Sequence, residues 1–289
     1  MEDGRSKTGI RFIKVLLSAA LVLSLIGLIL YQRKQSEEQR QFSALESQVI
    51  SAAAETEMVS VVPAVEETTA ASVAETLTTA ETVEQKETEE TETQPPRGLN
   101  AGKFSALTEQ NSDFAGWLKI EGTSIDYPVM LSTADPDFYL DHGFDREYSF
   151  SGTPFIDEGG TTDSDNVLIY AHNMKNGTMF SDLIRYENET YFRQHPEVCF
   201  DSLDRDGIYQ IIAVFKERVH YNYEENVFRF YDYSGDLTEE KYREYLMKIR
   251  EASLYETDTE VKYGTQLITL VTCAYHEANG RFVVVAAKQ

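Results

Sequence analysis

Cys273 and Arg281 stand eight residues apart near the C-terminal end of the sequence, each bordering a run of apolar and β-branched residues. The runs are Leu267-Ile-Thr-Leu-Val-Thr272 and Phe282-Val-Val-Val-Ala-Ala287, and they read as strands covered on both faces, because the apolar residues are continuous rather than alternating. The connection between them contains Asn279-Gly280, a pair that tolerates positive φ in a turn, so the chain doubles back and returns Arg281 to the neighbourhood of Cys273. A fixed positive charge beside a thiol favours the thiolate, which is the nucleophilic form. The plainer alternatives are a small buried hydrophobe for the cysteine and a surface ion pair for the arginine. An arginine opening an otherwise apolar strand is costly, however, unless its charge has a partner or faces a cleft.

A nucleophile of this kind needs a base, and the sequence offers five histidines. His172 follows the strand-like stretch 166–171 and precedes Asn173-Met-Lys-Asn-Gly177, so its ring projects from a rigid element into a loop region, where active sites gather. His276, three residues past Cys273, is its rival. His142, His195 and His220 lie in polar or turn-like surroundings and read as structural. No His/Cys pair has ligand spacing on one element, so no metal is expected. No organic cofactor is required either, since a thiol supplies its own covalent intermediate. Cys199 and Cys273 are the only cysteines, too few for a disulfide scaffold, and a bond between them would remove the nucleophile.

The elements that must position these groups are short and mostly extended. Strands are expected at 116–120, 125–131 with Pro128 marking an edge or bulge, 152–156, 166–171, 197–201, 207–219 and 226–230, besides the two terminal runs. Helical segments are expected at 104–114, 178–185 and 189–195. The one long helix spans 237–250, with Asp236 as N-cap and Tyr242, Tyr245, Leu246 and Ile249 on one face. Many short strands with turn signals imply a closed barrel or a sandwich.

Ahead of this domain the composition changes twice. Residues 15–31 are apolar apart from two serines, long enough to span a bilayer, and end in Tyr31-Gln-Arg-Lys without a small-residue cleavage site. Four basic residues precede the span, which places 1–14 in the cytoplasm and the rest outside. Residues 32–50 extend the helix as a polar stalk. Residues 51–97, nearly all Ala, Glu, Thr and Val, bury too little apolar surface to fold alone and read as a disordered linker, so that 32–97 forms a spacer lifting the domain away from the membrane. Residues 98–289 carry 17 Lys/Arg against 33 Asp/Glu, and this acidic balance excludes a nucleic-acid partner.

Taken together, Asn166-Val-Leu-Ile-Tyr-Ala-His172-Asn-Met, Met179-Phe-Ser-Asp-Leu183, Thr269-Leu-Val-Thr-Cys273 and Asn279-Gly-Arg281-Phe-Val-Val resemble the sortase family, most closely its class B. The segments 116–120 and 125–129 and the Tyr139-Leu140 pair also look like that class, and the resemblance spans about 100–289. It implies a mainly β fold, an eight-stranded sortase barrel with an N-terminal helix and a long helix before the penultimate strand, here preceded by one transmembrane helix. It also implies His172, Cys273 and Arg281 as the catalytic trio, in preference to His276, and Leu140 as a wall of the substrate groove; Thr272, adjacent to the nucleophile, is expected to be a second wall residue.

The implied activity is transpeptidation: a secreted protein is cleaved at its C-terminal sorting signal, held as a thioester, and passed to a peptidoglycan amine. Polymerisation of pilins and hydrolysis by a cell-wall cysteine peptidase are the alternatives within enzymology, and a membrane-tethered binding module is the alternative outside it. Two positions depart from the family pattern: Ala171 stands where glycine is frequent, and Val271 where a serine or threonine is frequent. The second is where substrate preference is expected to differ.

Overall fold

Strands β7 (Leu267–Cys273) and β8 (Gly280–Lys288) pair antiparallel from Leu267↔Ala287 to Cys273↔Arg281. Their unbroken apolar runs are explained by two cores. Ile268, Leu270, Phe282 and Val284 enter one, while Leu267, Val271, Val283 and Val285 enter a second beneath the long helix. The remaining strands are β1 (Phe114–Lys119), β2 (Asp126–Met130), β3 (Phe155–Ile156), β4 (Asn166–Tyr170), β5 (Glu197–Ser202) and β6 (Ile208–Arg218). They close a barrel in the order β1-β2-β3-β4-β7-β8-β6-β5. This computed structural model describes residues 3–60, 100–257 and 259–289.

The helices are α1 (Asp3–Ser60), α2 (Ala101–Gln110), α3 (Glu189–Gln194) and α4 (Glu239–Ala252). Helix α4 precedes β7, as expected, and turns Tyr242, Tyr245, Leu246 and Ile249 inward. Its N-cap is Thr238 rather than Asp236, with the Thr238 side chain accepting from the Lys241 amide. Residues 226–230 form no strand. Asn226 adopts φ 57°, and the chain continues into the 3₁₀ turn Phe230–Tyr233, where Phe228 and Phe230 pack against Phe215 instead of pairing along the sheet. Pro128 faces Trp117 on its paired side, and β2 meets β3 only at Met130↔Phe155, so the missing N–H falls where no ladder needs it.

Helix α1 departs most from the sequence expectation. Its segment Leu16–Ala54 contains an apolar stretch long enough to cross a membrane, none of it buried, which makes this a candidate membrane span. The same helix continues past the span and on to Ser60, so the first ten residues of the expected linker are helical, while 61–97 lie outside the described residues. The polar stretch is also not a free spacer. Phe42, Leu45 and Val49 recur on one helical face and are buried in the first core, with the Phe42 ring 5.2 Å edge-on to Tyr127.

A buried polar chain joins α4 to the β4/β7 seam. The Tyr245 hydroxyl lies 2.9 Å from Thr269 Oγ1, Thr269 donates to Asn166 Oδ1 at 2.9 Å, and Asn166 Nδ2 donates to the Tyr233 carbonyl at 2.7 Å. Burial pushes the Tyr245 hydroxyl pKa well up, which keeps this donor protonated. Replacing Asn166 removes both the acceptor of the Thr269 hydroxyl proton and the donor to the Tyr233 carbonyl. Asn166→Leu is expected to lower unfolding free energy by about 2–3 kcal/mol, read as a reduced denaturant midpoint.

Candidate active site

β4 and β7 run parallel in register from Asn166↔Leu267 to Tyr170↔Val271. Three bonds carry this seam past the strand ends. The Ala171 amide donates to Val271 O (3.2 Å), Thr272 Oγ1 donates to Ala171 O (2.8 Å), and Asn173 Nδ2 donates to Cys273 O (2.9 Å). His172 and Cys273, 101 residues apart in sequence, are therefore fixed at neighbouring ends of the seam.

Arg281 arrives from the other flank, as the register partner of Cys273 in β8. Asn279 takes the left-handed conformation at φ 59° that the turn requires. Gly280 has a different reason to be glycine: a Cβ there would lie 2.3 Å from the Ala274 carbonyl, whose own N–H donates to Gly280 O at 3.0 Å. The Arg281 guanidinium is held in place by its Nη1, which donates to the Gly280 carbonyl at 3.1 Å and to that of Asn279 at 3.3 Å.

All three side chains border one cleft of about 360 Å³, within the range of ligand-sized pockets. Leu140, Tyr170, Val219 and Tyr231 line it too, with Asp137 and Asp157 supplying negative charge. His172 Nε2 lies 2.9 Å from the Leu140 carbonyl. A carbonyl can only accept, so Nε2 is the protonated nitrogen, and Nδ1 is the one left to exchange a proton with a ligand. Tyr170 packs against Phe155 at 5.9 Å. Burial, reinforced by Asp157 and opposed by Arg281, pushes its hydroxyl pKa well up.

Of the residues expected to wall a groove, Leu140 is 43% exposed and borders the cleft. Thr272 borders it as well, but is 2% exposed with its hydroxyl committed to Ala171, so it positions rather than contacts. Val271 is fully buried and contributes its side chain to the second core.

The other histidines are engaged elsewhere. His276 pairs with Glu277 at 3.0 Å, His142 stacks on Phe138, and His195 meets the Glu121 carbonyl. His220 sits between Glu217 and Glu224 at 3.1 and 2.7 Å. Arg218 adds ion pairs to Glu224 and Glu277, tying the loop after β6 to the loop after Cys273, and its hydrogen bond leads in holding the Glu224 carboxyl below the usual range. Among the described residues no group of three or more His, Cys, Asp or Glu is arranged to hold a metal ion. Both cysteines are free, which removes the disulfide reading. Sequence reasoning missed Asn173 and Tyr170 as site residues; their one signal was adjacency to His172 at the end of an apolar strand.

Comparison with known proteins gives a consistent relationship. The sequence profile described as "Sortase domain" matches residues 118–289. Sortase B of Listeria monocytogenes serovar 1/2a is 33% identical over 182 residues, covering 62% of this chain and 70% of that protein. The crystal structure of Clostridium perfringens sortase B superposes with a TM-score of 0.55 at 31% identity, covering 64% of this chain and 98% of that one. A Staphylococcus aureus sortase B–substrate complex gives a TM-score of 0.56 at 28% identity, over 65% and 84% of the two chains.

The two thiols are expected to differ in reactivity. Burial, with Asp201 and Glu197 nearby, pushes the Cys199 thiol pKa up and lowers its thiolate fraction at neutral pH. A limiting amount of a neutral alkylating reagent at pH 7 should label Cys273 at least about tenfold faster than Cys199, as read by peptide mapping. Equal labelling would contradict the assignment of Cys273 to an open cleft.

Proposed function

The chain belongs to the sortase family of cysteine transpeptidases, and on that premise we propose that it is a class B enzyme, anchored in the membrane by α1, that joins secreted proteins to cell-wall peptidoglycan. The observation that carries this reading is the convergence of Cys273, Arg281 and His172 on one cleft from three strand ends. The domain would face outward, with the N-terminus in the cytoplasm.

In the proposed reaction the Cys273 thiolate attacks the carbonyl carbon of a threonine in the sorting signal. The Arg281 guanidinium stabilises the oxyanion that develops. His172 as imidazolium donates its Nδ1 proton to the departing amine, the peptide bond breaks, and a thioester remains on Cys273. The hydrogen bond from Nε2 to the Leu140 carbonyl fixes the ring for this transfer. An amine of a peptidoglycan stem or cross-bridge then attacks the thioester carbonyl. His172 takes the proton, the thiolate leaves, and a new amide joins protein to wall.

Asp137 and Asp157 on the cleft rim favour a cationic incoming amine before it is deprotonated. Leu140, exposed at the edge, offers an apolar surface for the signal peptide. A substrate complex exists for the S. aureus relative, which supports substrate binding by this fold.

The test is intact-mass analysis of the protein with a panel of sorting-signal peptides, with and without an oligoglycine amine. A thioester adduct on Cys273 is expected, and added amine should divert product from hydrolysis to ligation. Cys273→Ala should abolish the adduct, and Arg281→Ala should slow acylation by roughly 10²–10³. Cleavage indifferent to added amine would instead favour a peptidase, and absence of any adduct across the panel would contradict the enzyme reading.

A further inference from the structure

Two aromatic side chains stand out on the domain surface where α1 leaves its apolar segment. Tyr148 and Phe150 are 57% and 55% exposed, on a loop, residues 141–151, far along the chain from the helix they touch. The Phe150 ring lies 6.0 Å from Tyr31, the last residue of the apolar run. Lys34 Nζ donates to the Tyr148 carbonyl at 2.8 Å and lies 4.9 Å over its ring. Farther along α1, Ser151 donates to Glu38 at 2.8 Å, and Gln41 donates to Asp145 at 3.1 Å.

Helix geometry turns these contacts into a height. At about 1.5 Å rise per residue, Lys34 is roughly 4.5 Å beyond Tyr31 along the axis. The interfacial layer between hydrocarbon and water is about 5–8 Å deep on each side of a bilayer. If the apolar run ends at the hydrocarbon boundary, the 148–150 edge lies inside that layer.

The loop is also fixed rather than loose. Gly143 N donates to Glu147 O at 2.8 Å, Ser149 N donates to Asp141 O at 2.9 Å, and His142 bridges Tyr148. Tyrosine, with an apolar ring and a polar tip, is the residue type that populates the membrane–water belt.

We propose that the 141–151 loop is a second membrane contact, with Tyr148 and Phe150 seated in the outer leaflet beside the end of the α1 span. The proposal rests on the reading of α1 as a membrane anchor. Its partner is a lipid surface recognised through aromatic rings. Asp141, Asp145 and Glu147 on the same loop oppose anionic headgroups, so the contact needs no anionic lipid.

One consequence reaches the cleft. The loop begins one residue after Leu140, whose carbonyl holds His172, and Thr153 just past its end donates to the Tyr139 carbonyl at 2.9 Å. With Phe42, Leu45 and Val49 clamped into the core, the contact would fix the domain, and the His172 edge with it, at one height and tilt.

The test places tryptophan reporters in the full-length chain, reconstituted in phosphatidylcholine vesicles brominated near the top of the acyl chains. The chain has one tryptophan, Trp117, whose signal is subtracted using the parent protein. Phe150→Trp and Tyr31→Trp are both expected to be quenched by roughly twofold, as interfacial side chains are. Met247→Trp, exposed on α4, which packs on β6 whereas α1 packs on β2, is expected to be unquenched. Tyr148→Trp provides a second loop reporter should Phe150→Trp fold poorly. Quenching at Tyr31→Trp with none at either loop position would overturn the loop contact and leave the anchor intact. No quenching at Tyr31→Trp would overturn the anchor reading and the loop contact with it.

Discussion

The parallel pairing of β4 with β7 is the constraint on which the rest depends. Parallel strands need a long crossover, and here the connection from His172 to Leu267 contains β5, β6, α3 and α4. The ladder ends at Tyr170↔Val271, yet the hydrogen bonds from Ala171, Thr272 and Asn173 keep the two chains together for two more residues. The second residue on each side is the histidine on one chain and the cysteine on the other. The β7/β8 hairpin alone would deliver Arg281 to Cys273; only the parallel seam brings His172 to them.

The seam is held from both sides. Inside the barrel, Ile169 and Leu270 are fully buried, and outside it the Tyr245–Thr269–Asn166 chain links α4 to the same two strands. The opposite lip of the cleft is fastened by charge, through Arg218 and His220 gripping Glu217, Glu224 and Glu277. Partial exposure and salt screen such pairs, so they contribute less to stability than the buried chain and more to where the loops lie. Helix α1 adds a third fixture, since its docked face sets the barrel against the helix that carries the apolar N-terminal segment.

Much of this was legible in the sequence where local chemistry and tertiary packing agree. The two terminal strands, the turn at Asn279 and the inward face of α4 follow from apolar continuity, turn propensity and helical period. The errors fall where packing overrides pattern. Residues 226–230 have strand-like composition, but their aromatic rings are drawn onto Phe215 and Asn226 breaks the extended conformation. The docked face of α1 was overlooked because Phe42, Leu45 and Val49 are sparse among polar neighbours, and burial needs only those three. In the site, residue types pointed to a thiol, a guanidinium and a choice of two histidines, and the family resemblance chose His172. Asn173 and the Leu140 carbonyl were invisible because their contribution lies in hydrogen bonds between distant segments.

If the seam positions the base, loosening its last two bonds must impair chemistry more than folding. The most direct measurement is single-turnover acylation of the Thr272→Val/Asn173→Ala double variant with a sorting-signal peptide, alongside its melting temperature and peptide affinity. Acylation is expected to fall by about 10²-fold, as for a misplacement of the order of an ångström, while peptide affinity stays near that of the parent and the fold remains intact. Acylation at the parental rate in a folded double variant would contradict the account.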